Sequence, residues 1–177
     1  MFVGIQVGEF AALPRSTEPG PYTATGGSAA IASNRVSYAL GLEGPSMSVD
    51  TACSSGLVAL QVACQSLQSG VCPSVLAVAV NVLLSPDGFV STCKAHMLSA
   101  RGRCHTFDAS ADGYARAEGS CAAAIQTSSS DVHVRVRGTC VNQDGRTASL
   151  TAPSGTAQQR VITGALWEAG ADALLIS

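Results

Sequence analysis

Charge is scarce in this sequence: only 12% of its 177 residues are Asp, Glu, Lys or Arg, against roughly 25% in an average globular chain. Lys94 is the sole lysine and the net charge is −2. That excludes the basic footprint of a nucleic-acid-binding protein and a polybasic membrane patch. Long apolar runs are also missing. The longest, Val75 to Leu84, spans ten residues and is interrupted by Asn81, well short of the ~20 that a spanning helix needs. The start, Met1-Phe2-Val3-Gly4-Ile5, lacks the basic region and small-residue cleavage site of a secretory signal. Finally, no two of the seven cysteines (53, 64, 72, 93, 104, 121 and 140) form a C-x-x-C pair, and their number is odd. A disulfide framework or zinc site is therefore not expected, and a reducing, cytoplasmic setting is.

What is present reads as α/β. Residues 1 to 8 suggest a short strand, and Glu9 to Tyr22, with three prolines, a loop. Thr25-Gly26-Gly27-Ser28 looks like a helix start with Ser28 as N-cap, the helix running to Leu40 and closing at Gly41. Gly44-Pro45 marks a turn before a strand over Ser46 to Val49. From Thr51 to Pro86, 36 residues carry no charge at all. Within that stretch Leu57, Leu60, Cys64 and Leu67 recur at helical spacing, with apolar residues filling the other faces. The expectation is a buried helix capped near Gly70, then a buried strand over Val75 to Leu84. Further on, Gly119 to Thr127 reads as a strand. Val132, Val134 and Val136 alternate as a strand with one wet face. Asn142 to Gly145 reads as a turn, and Ala157 to Ala169 as a helix closed by Gly170.

Cys53 stands where the short strand should meet the buried helix. A nucleophile there sits at a helix N-terminus, where the macrodipole and free N–H groups favour a thiolate. Ala52, Ser54, Ser55 and Gly56 are small enough to let a carbonyl come close, and the Cys53 N–H could donate to an oxyanion. The competing reading is a buried structural cysteine, which is the one favoured for the other six.

The segment "GPSMSVDTACSSGLVALQVACQSLQSG" (44–70) resembles the active-site stretch of β-ketoacyl synthase domains of type I modular polyketide synthases. The resemblance extends through "SNRVSYALGLEGPSM", "NVLLSPDGFV", "MLSARGRCHTFDASADGYARAEG", "VNQDGRTASLTAPSG" and "AQQRVI", covering nearly the whole chain. Related fatty acid synthases share the cysteine elbow, but "VNQDG" and "FDASADGY" look more like the polyketide branch. The resemblance implies a thiolase-like, layered α-β-α-β-α sandwich, of which this chain would hold mostly the N-terminal half and the start of the C-terminal half. It implies a decarboxylative Claisen condensation. Cys53 matches the family's acyl-accepting nucleophile, residue for residue. Substrates would be acyl and malonyl-type thioesters on the phosphopantetheine of acyl carrier protein, with no cofactor bound directly and no metal.

The resemblance also implies a homodimer in which the strand matching Val75 to Val82 pairs with its symmetry mate. The family's two catalytic histidines lie in HGTGT-type and N-x-G-H-type motifs, and neither motif occurs here. Residues 1–177 are therefore expected to be part of a ketosynthase domain, inactive by itself, with Leu174 to Ser177 near the strand leading to the first motif. With the start of the parent outside the chain, organelle targeting stays open. Two departures stand out: Val78-Ala79 replaces a usual Gly-Gly and would crowd the helix after Cys53, and Ala117 replaces another glycine.

Other readings compete. A truncated or degenerate ketosynthase serving as a dimerisation or binding module is the alternative, although retention of Cys53 argues against a chain-length-factor role. A cysteine hydrolase would need its own histidine. His96 and His105 fall in loops, and His133 on the wet face of a strand. Asp108, Ser110, Asp112 and Gly113 imitate an EF-hand opening, but the twelfth place is Gly119 rather than Glu. Asx-type turns are the expected use of that stretch.

Overall fold

The computed structural model describes residues 1–6, 9, 10, 13, 18–127 and 134–173. It divides into two units, Met1–Ile125 and Gln126–Ser177.

The first unit is built on strands β1 (Phe2–Ile5), β2 (Met47–Val49), β3 (Ser74–Asn81) and β4 (Gly119–Gln126). Its helices are α1 (Thr23–Gly27), α2 (Ala29–Leu40), α3 (Ser55–Gln68) and α4 (Asp87–Lys94). The sheet order is β2-β1-β3-β4. β1 runs parallel to both neighbours, Phe2 standing beside Met47 on one side and Ala77 on the other. The chain thus moves one way from β1 to β2 through α2, then back over β1 to β3 through α3. Parallel crossovers are right-handed, so this reversal puts the two helices on opposite faces.

Side-chain alternation agrees with that layering. On one face Phe2, Val75 and Ala77 meet Ala59, Ala63 and Leu67 of α3, with Val49, Leu60, Val62, Cys72 and Ile125 packed around them. Phe2 is fully buried and contributes about 1.5–3 kcal/mol as a large apolar side chain removed from water. The α2 face is lined by hydroxyls instead. Ser48 Oγ on β2 donates to Ala29 C=O at 2.6 Å and accepts from Ser33 N–H at 3.3 Å, and the hydroxyls of Ser37 and Ser46 lie 2.8 Å apart. These bonds satisfy serines that would otherwise be costly to bury.

Several expectations hold. Ser28 occupies the N-cap position of α2, although its side chain makes no capping bond, and Gly41 closes the helix at φ 66°. The helix over 55–68, the strands over 74–81 and 119–126, and the helix over 155–169 all form. Others need correction. α3 is buried on one face only, through Ser55, Ala59, Ala63, Cys64 and Leu67, while Leu57 is 73% exposed. A single layer, the sheet, packs against it in this unit. Glu9 and Phe10, placed in a loop by their prolines downstream, are helical.

The strand matching Val75 to Val82 was expected to pair across a dimer. In the fold it is interior, with β1 on one side and β4 on the other, so its backbone groups have no open edge to offer a second copy.

The second unit contains α5 (Gly155–Ala169), opened by Ser154, whose hydroxyl accepts the Ala157 N–H at 3.2 Å. The alternating stretch 132–136 lies partly outside the described residues, and residues 134–137 are not a strand. Hydrogen bonds run from this region to α5 instead: the Arg137 guanidinium donates to Ala169 C=O at 3.1 Å and Thr139 N–H to Glu168 Oε2 at 2.7 Å. A Cβ on Gly138 would meet Ala169 N at 2.7 Å, so only glycine lets this segment lie so close to the helix. Leu174 to Ser177 lie outside the described residues.

Candidate active site

β2 ends at Val49 and α3 begins at Ser55, with a 3-10 turn over Ala52–Ser54 between them. Cys53 is the middle residue of that turn and is exposed. It lies beyond the carboxyl end of a parallel strand, which is where ligands bind in open α/β sheets. The reversal is sharp enough to need Ala52 at φ 56°. That left-handed conformation costs a non-glycine residue ~1–3 kcal/mol and persists only where surrounding contacts impose it.

Those contacts are specific. Ala52 N–H donates to Asp50 Oδ1 at 3.0 Å, an Asx turn. Ser55 Oγ accepts the Thr51 N–H at 2.8 Å and donates to Ala52 C=O at 2.7 Å. Ser54 Oγ donates to Thr51 C=O at 2.9 Å and lies 2.8 Å from Thr51 Oγ1. Sequence reasoning treated Ser54 and Ser55 only as small neighbours. A serine run at a helix start signals capping, but its backward direction depends on the turn's backbone path.

The first turn of α3 is set close to the sheet by glycine. A Cβ on Gly4 would fall 2.5 Å from Ser55 C, Ser55 O and Gly56 N. A Cβ on Gly56 would fall 2.8 Å from Ala79 Cβ. The crowding expected from Val78-Ala79 is therefore relieved by Gly56, which leaves the Ala79 methyl its space.

Among the described residues no histidine takes part in the hydrogen bonds of this turn. His96 and His105 lie in loops as expected, both at positive φ, and His105 Nδ1 is 3.9 Å from Asp108 Oδ2. His133 lies outside the described residues. Of the other six cysteines only Cys64 is buried; Cys93, Cys104 and Cys121 are exposed, so burial does not account for those three.

A second polar group was missed altogether. Glu9 pairs with Arg116, 107 residues away, and its Oε2 also accepts from Leu84 N–H at 2.6 Å and Ser85 N–H at 3.1 Å. Those two N–H groups, aided by Arg116 and opposed by partial desolvation, hold the Glu9 carboxyl below its ordinary range. Arg116 also donates to Gly88 C=O and lies over the Phe89 ring at 5.1 Å, a cation–π contact. Glu118 accepts Leu83 N–H at 2.8 Å, and Asn81 donates to Ala117 C=O at 2.7 Å. Together they fix the loop after β3. A cleft of about 720 Å³ opens there, lined by Ile5, Glu9, Arg35, Asn81, Leu84 and Arg116 among others. Cys53 does not line it, so the cleft carries no argument about the nucleophile.

The EF-hand-like stretch uses its carboxylates internally. Asp108 Oδ1 accepts Ser110 N–H at 2.7 Å, the expected Asx turn, and Asp112 pairs with Arg101 at 3.3 Å. Both carboxyls are held below their ordinary range, chiefly by hydrogen bonds from Ser110 and Ser99 respectively. Among the described residues no three His, Cys, Asp or Glu side chains gather as metal ligands would. Nor is any described helix long and apolar enough to cross a membrane. In the second unit, Asn142 donates to Ala157 C=O at 2.7 Å and Asp144 accepts Ser154 N–H at 3.1 Å, so the "VNQDG" turn is tied to the start of α5.

Residues 1–130 match the family model "Beta-ketoacyl synthase, N-terminal domain", and residues 133–177 match "Beta-ketoacyl synthase, C-terminal domain". A mycocerosic acid synthase-like polyketide synthase of Mycobacterium tuberculosis is 46% identical over 88% of the chain, which spans 8% of that protein. A hybrid PKS-NRPS synthetase of Talaromyces variabilis is 44% identical over 97% of the chain, which spans 4% of it. Among solved structures, the oxazolomycin ketosynthase domain of Streptomyces albus superposes with a TM-score of 0.86 at 35% identity. It takes in 97% of this chain and 32% of its own. The ketosynthase from module 6 of the bacillaene synthase of Bacillus subtilis gives a TM-score of 0.78 at 33% identity, covering 87% of the chain and 29% of its own. The chain thus spans under a tenth of these curated relatives and about a third of these ketosynthases.

Proposed function

Because the chain belongs to the β-ketoacyl synthase family, we propose that Cys53 is the acyl-accepting nucleophile of a polyketide synthase ketosynthase, an acyltransferase of the 3-oxoacyl synthase type. The observation that carries this reading is the left-handed turn at Ala52, which presents an exposed Cys53 between β2 and the first turn of α3. In the loading step the Cys53 thiolate attacks the carbonyl of an acyl thioester. A carbon–sulfur bond forms, the carbonyl electrons pass to oxygen, and their return expels the donor thiolate. The Cys53 N–H is the donor expected to meet that oxyanion.

Loading is the half-reaction this chain's described residues support. In the condensation that follows, a malonyl-type extender loses carbon dioxide, and its carbanion attacks the acyl-Cys53 carbonyl and releases the thiolate. That step needs proton and charge handling that neither His96 nor His105 is placed to give. We assign it to the two family histidines of the whole ketosynthase. The thioesters would arrive on the phosphopantetheine of an acyl carrier protein. The homodimer expected of such an enzyme would use a sheet edge, and β2, at the edge of the sheet among the described residues, fits better than interior β3.

The test is labelling of the whole ketosynthase with a thiol-directed acyl or cerulenin-type probe. Labelling at Cys53, abolished by Cys53→Ala, is expected. Labelling elsewhere with Cys53 inert sinks the assignment and favours a degenerate, non-catalytic ketosynthase.

A further inference from the structure

We propose that Ser55 and Asp50 are positioning residues for Cys53. Together they hold Ala52 in its left-handed conformation and so aim the thiol at the incoming thioester. The inference rests on the reading of Cys53 as the acyl acceptor.

Four residues able to cap a helix, Asp50, Thr51, Ser54 and Ser55, precede or open α3. None caps it. No side chain bonds the helix N–H groups from the N-cap position. Instead Ser54 and Ser55 bond backwards into the turn, and Asp50 bonds forwards into it. The Asp50 carboxylate takes the Ala52 N–H at 3.0 Å. Ser55 holds the peptide groups on either side of Cα of Thr51 and Ala52, accepting at Thr51 N–H (2.8 Å) and donating at Ala52 C=O (2.7 Å). Ser55 is itself buried at 4% exposure, so water cannot easily replace either bond.

Ala52 is thus gripped at its N–H by one side chain and at its C=O by another. A residue held at both ends has its φ fixed, and φ at Ala52 decides where the next side chain, Cys53, points. The backward bonding has a second consequence. Ser54, at the N-cap position, makes no side-chain bond to the first N–H groups of α3, which leaves the positive end of the helix to the reacting carbonyl.

The experiment follows acyl loading of the whole ketosynthase from hexanoyl-N-acetylcysteamine, separating kcat from KM, with Cys53→Ala as the blank. Ser55→Ala is expected to lower kcat for loading about tenfold or more with KM within about twofold. A structural role alone would not produce that split. Ser55→Thr, which keeps the hydroxyl, is expected to restore loading. Ala52→Gly added to Ser55→Ala is expected to recover much of it, because glycine adopts positive φ without a clamp.

Ser55→Ala that loads at the wild-type rate overturns the proposal, as does a Ser55→Thr variant as impaired as Ser55→Ala. Should Ser55→Ala fail to fold, exposed Asp50 carries the test. Asp50→Ala is expected to slow loading, and Asp50→Asn, which keeps an acceptor at that position, to spare it; equal rates for the two overturn the proposal. A wild-type enzyme that never loads Cys53 overturns the nucleophile assignment itself, a failure visible before any Ser55 variant is made.

Discussion

At Gly56 a single hydrogen atom decides how near α3 can lie to the sheet. The Cβ of Ala79 would stand 2.8 Å from a methyl group added to Gly56. Gly56→Ala is therefore expected to destabilise the fold by about 1–3 kcal/mol, the usual cost of overpacking a fitted interface. Adding Ala79→Gly should recover most of that loss. Urea unfolding of the single and double variants measures both, and a neutral Gly56→Ala would show that the helix can slide. The place of Cys53 between a strand and a helix was legible in the sequence, because strand, small residues and helix follow one another along the chain. The backward bonds of Ser55 were not, since serine at a helix start bonds forward or backward according to the backbone path.

Among the elements, the loop after β3 depends on distant partners. Glu9 holds its Leu84 and Ser85 N–H groups, and Arg116 holds Glu9. The Glu9 carboxyl titrates below its free value of 4.5 in the folded state. A lowered carboxylate pKa stabilises the fold fully above the unfolded value, and that stability is lost as pH falls through the folded one. Melting temperature should therefore drop on acidification below 4.5. Glu9→Gln should start lower at neutral pH and show a shallower acid slope. Parallel slopes for the two proteins would contradict the clamp. Nothing in the sequence announced this pair, because 107 residues separate its members. β3 shows the same limit: its β-branched run marked it as buried, but burial did not say whether its edges were free.

On the scale of the whole molecule, much apolar surface lies open. Leu150 and Phe107 are fully exposed, Tyr38 is 91% exposed and Trp167 86%. Where such side chains adjoin, the patch favours association. The 177-residue polypeptide expressed alone is expected to bind a hydrophobic dye under native conditions and to associate as concentration rises. Size-exclusion chromatography reads this directly, and a dye-silent monomer would speak against it.

The sequence by itself determined the α/β alternation, the helix ends at Gly41 and Gly170, and the place of Cys53 between strand and helix. Each depends on neighbours a few residues apart, through periodicity and turn chemistry. Only the tertiary structure decided that β1 lies between β2 and β3, that β3 has no free edge, that Gly56 makes room for Ala79, and that Glu9 meets Arg116. Those outcomes turn on which distant segments become adjacent, and the spacing of residues along the chain carries no record of that.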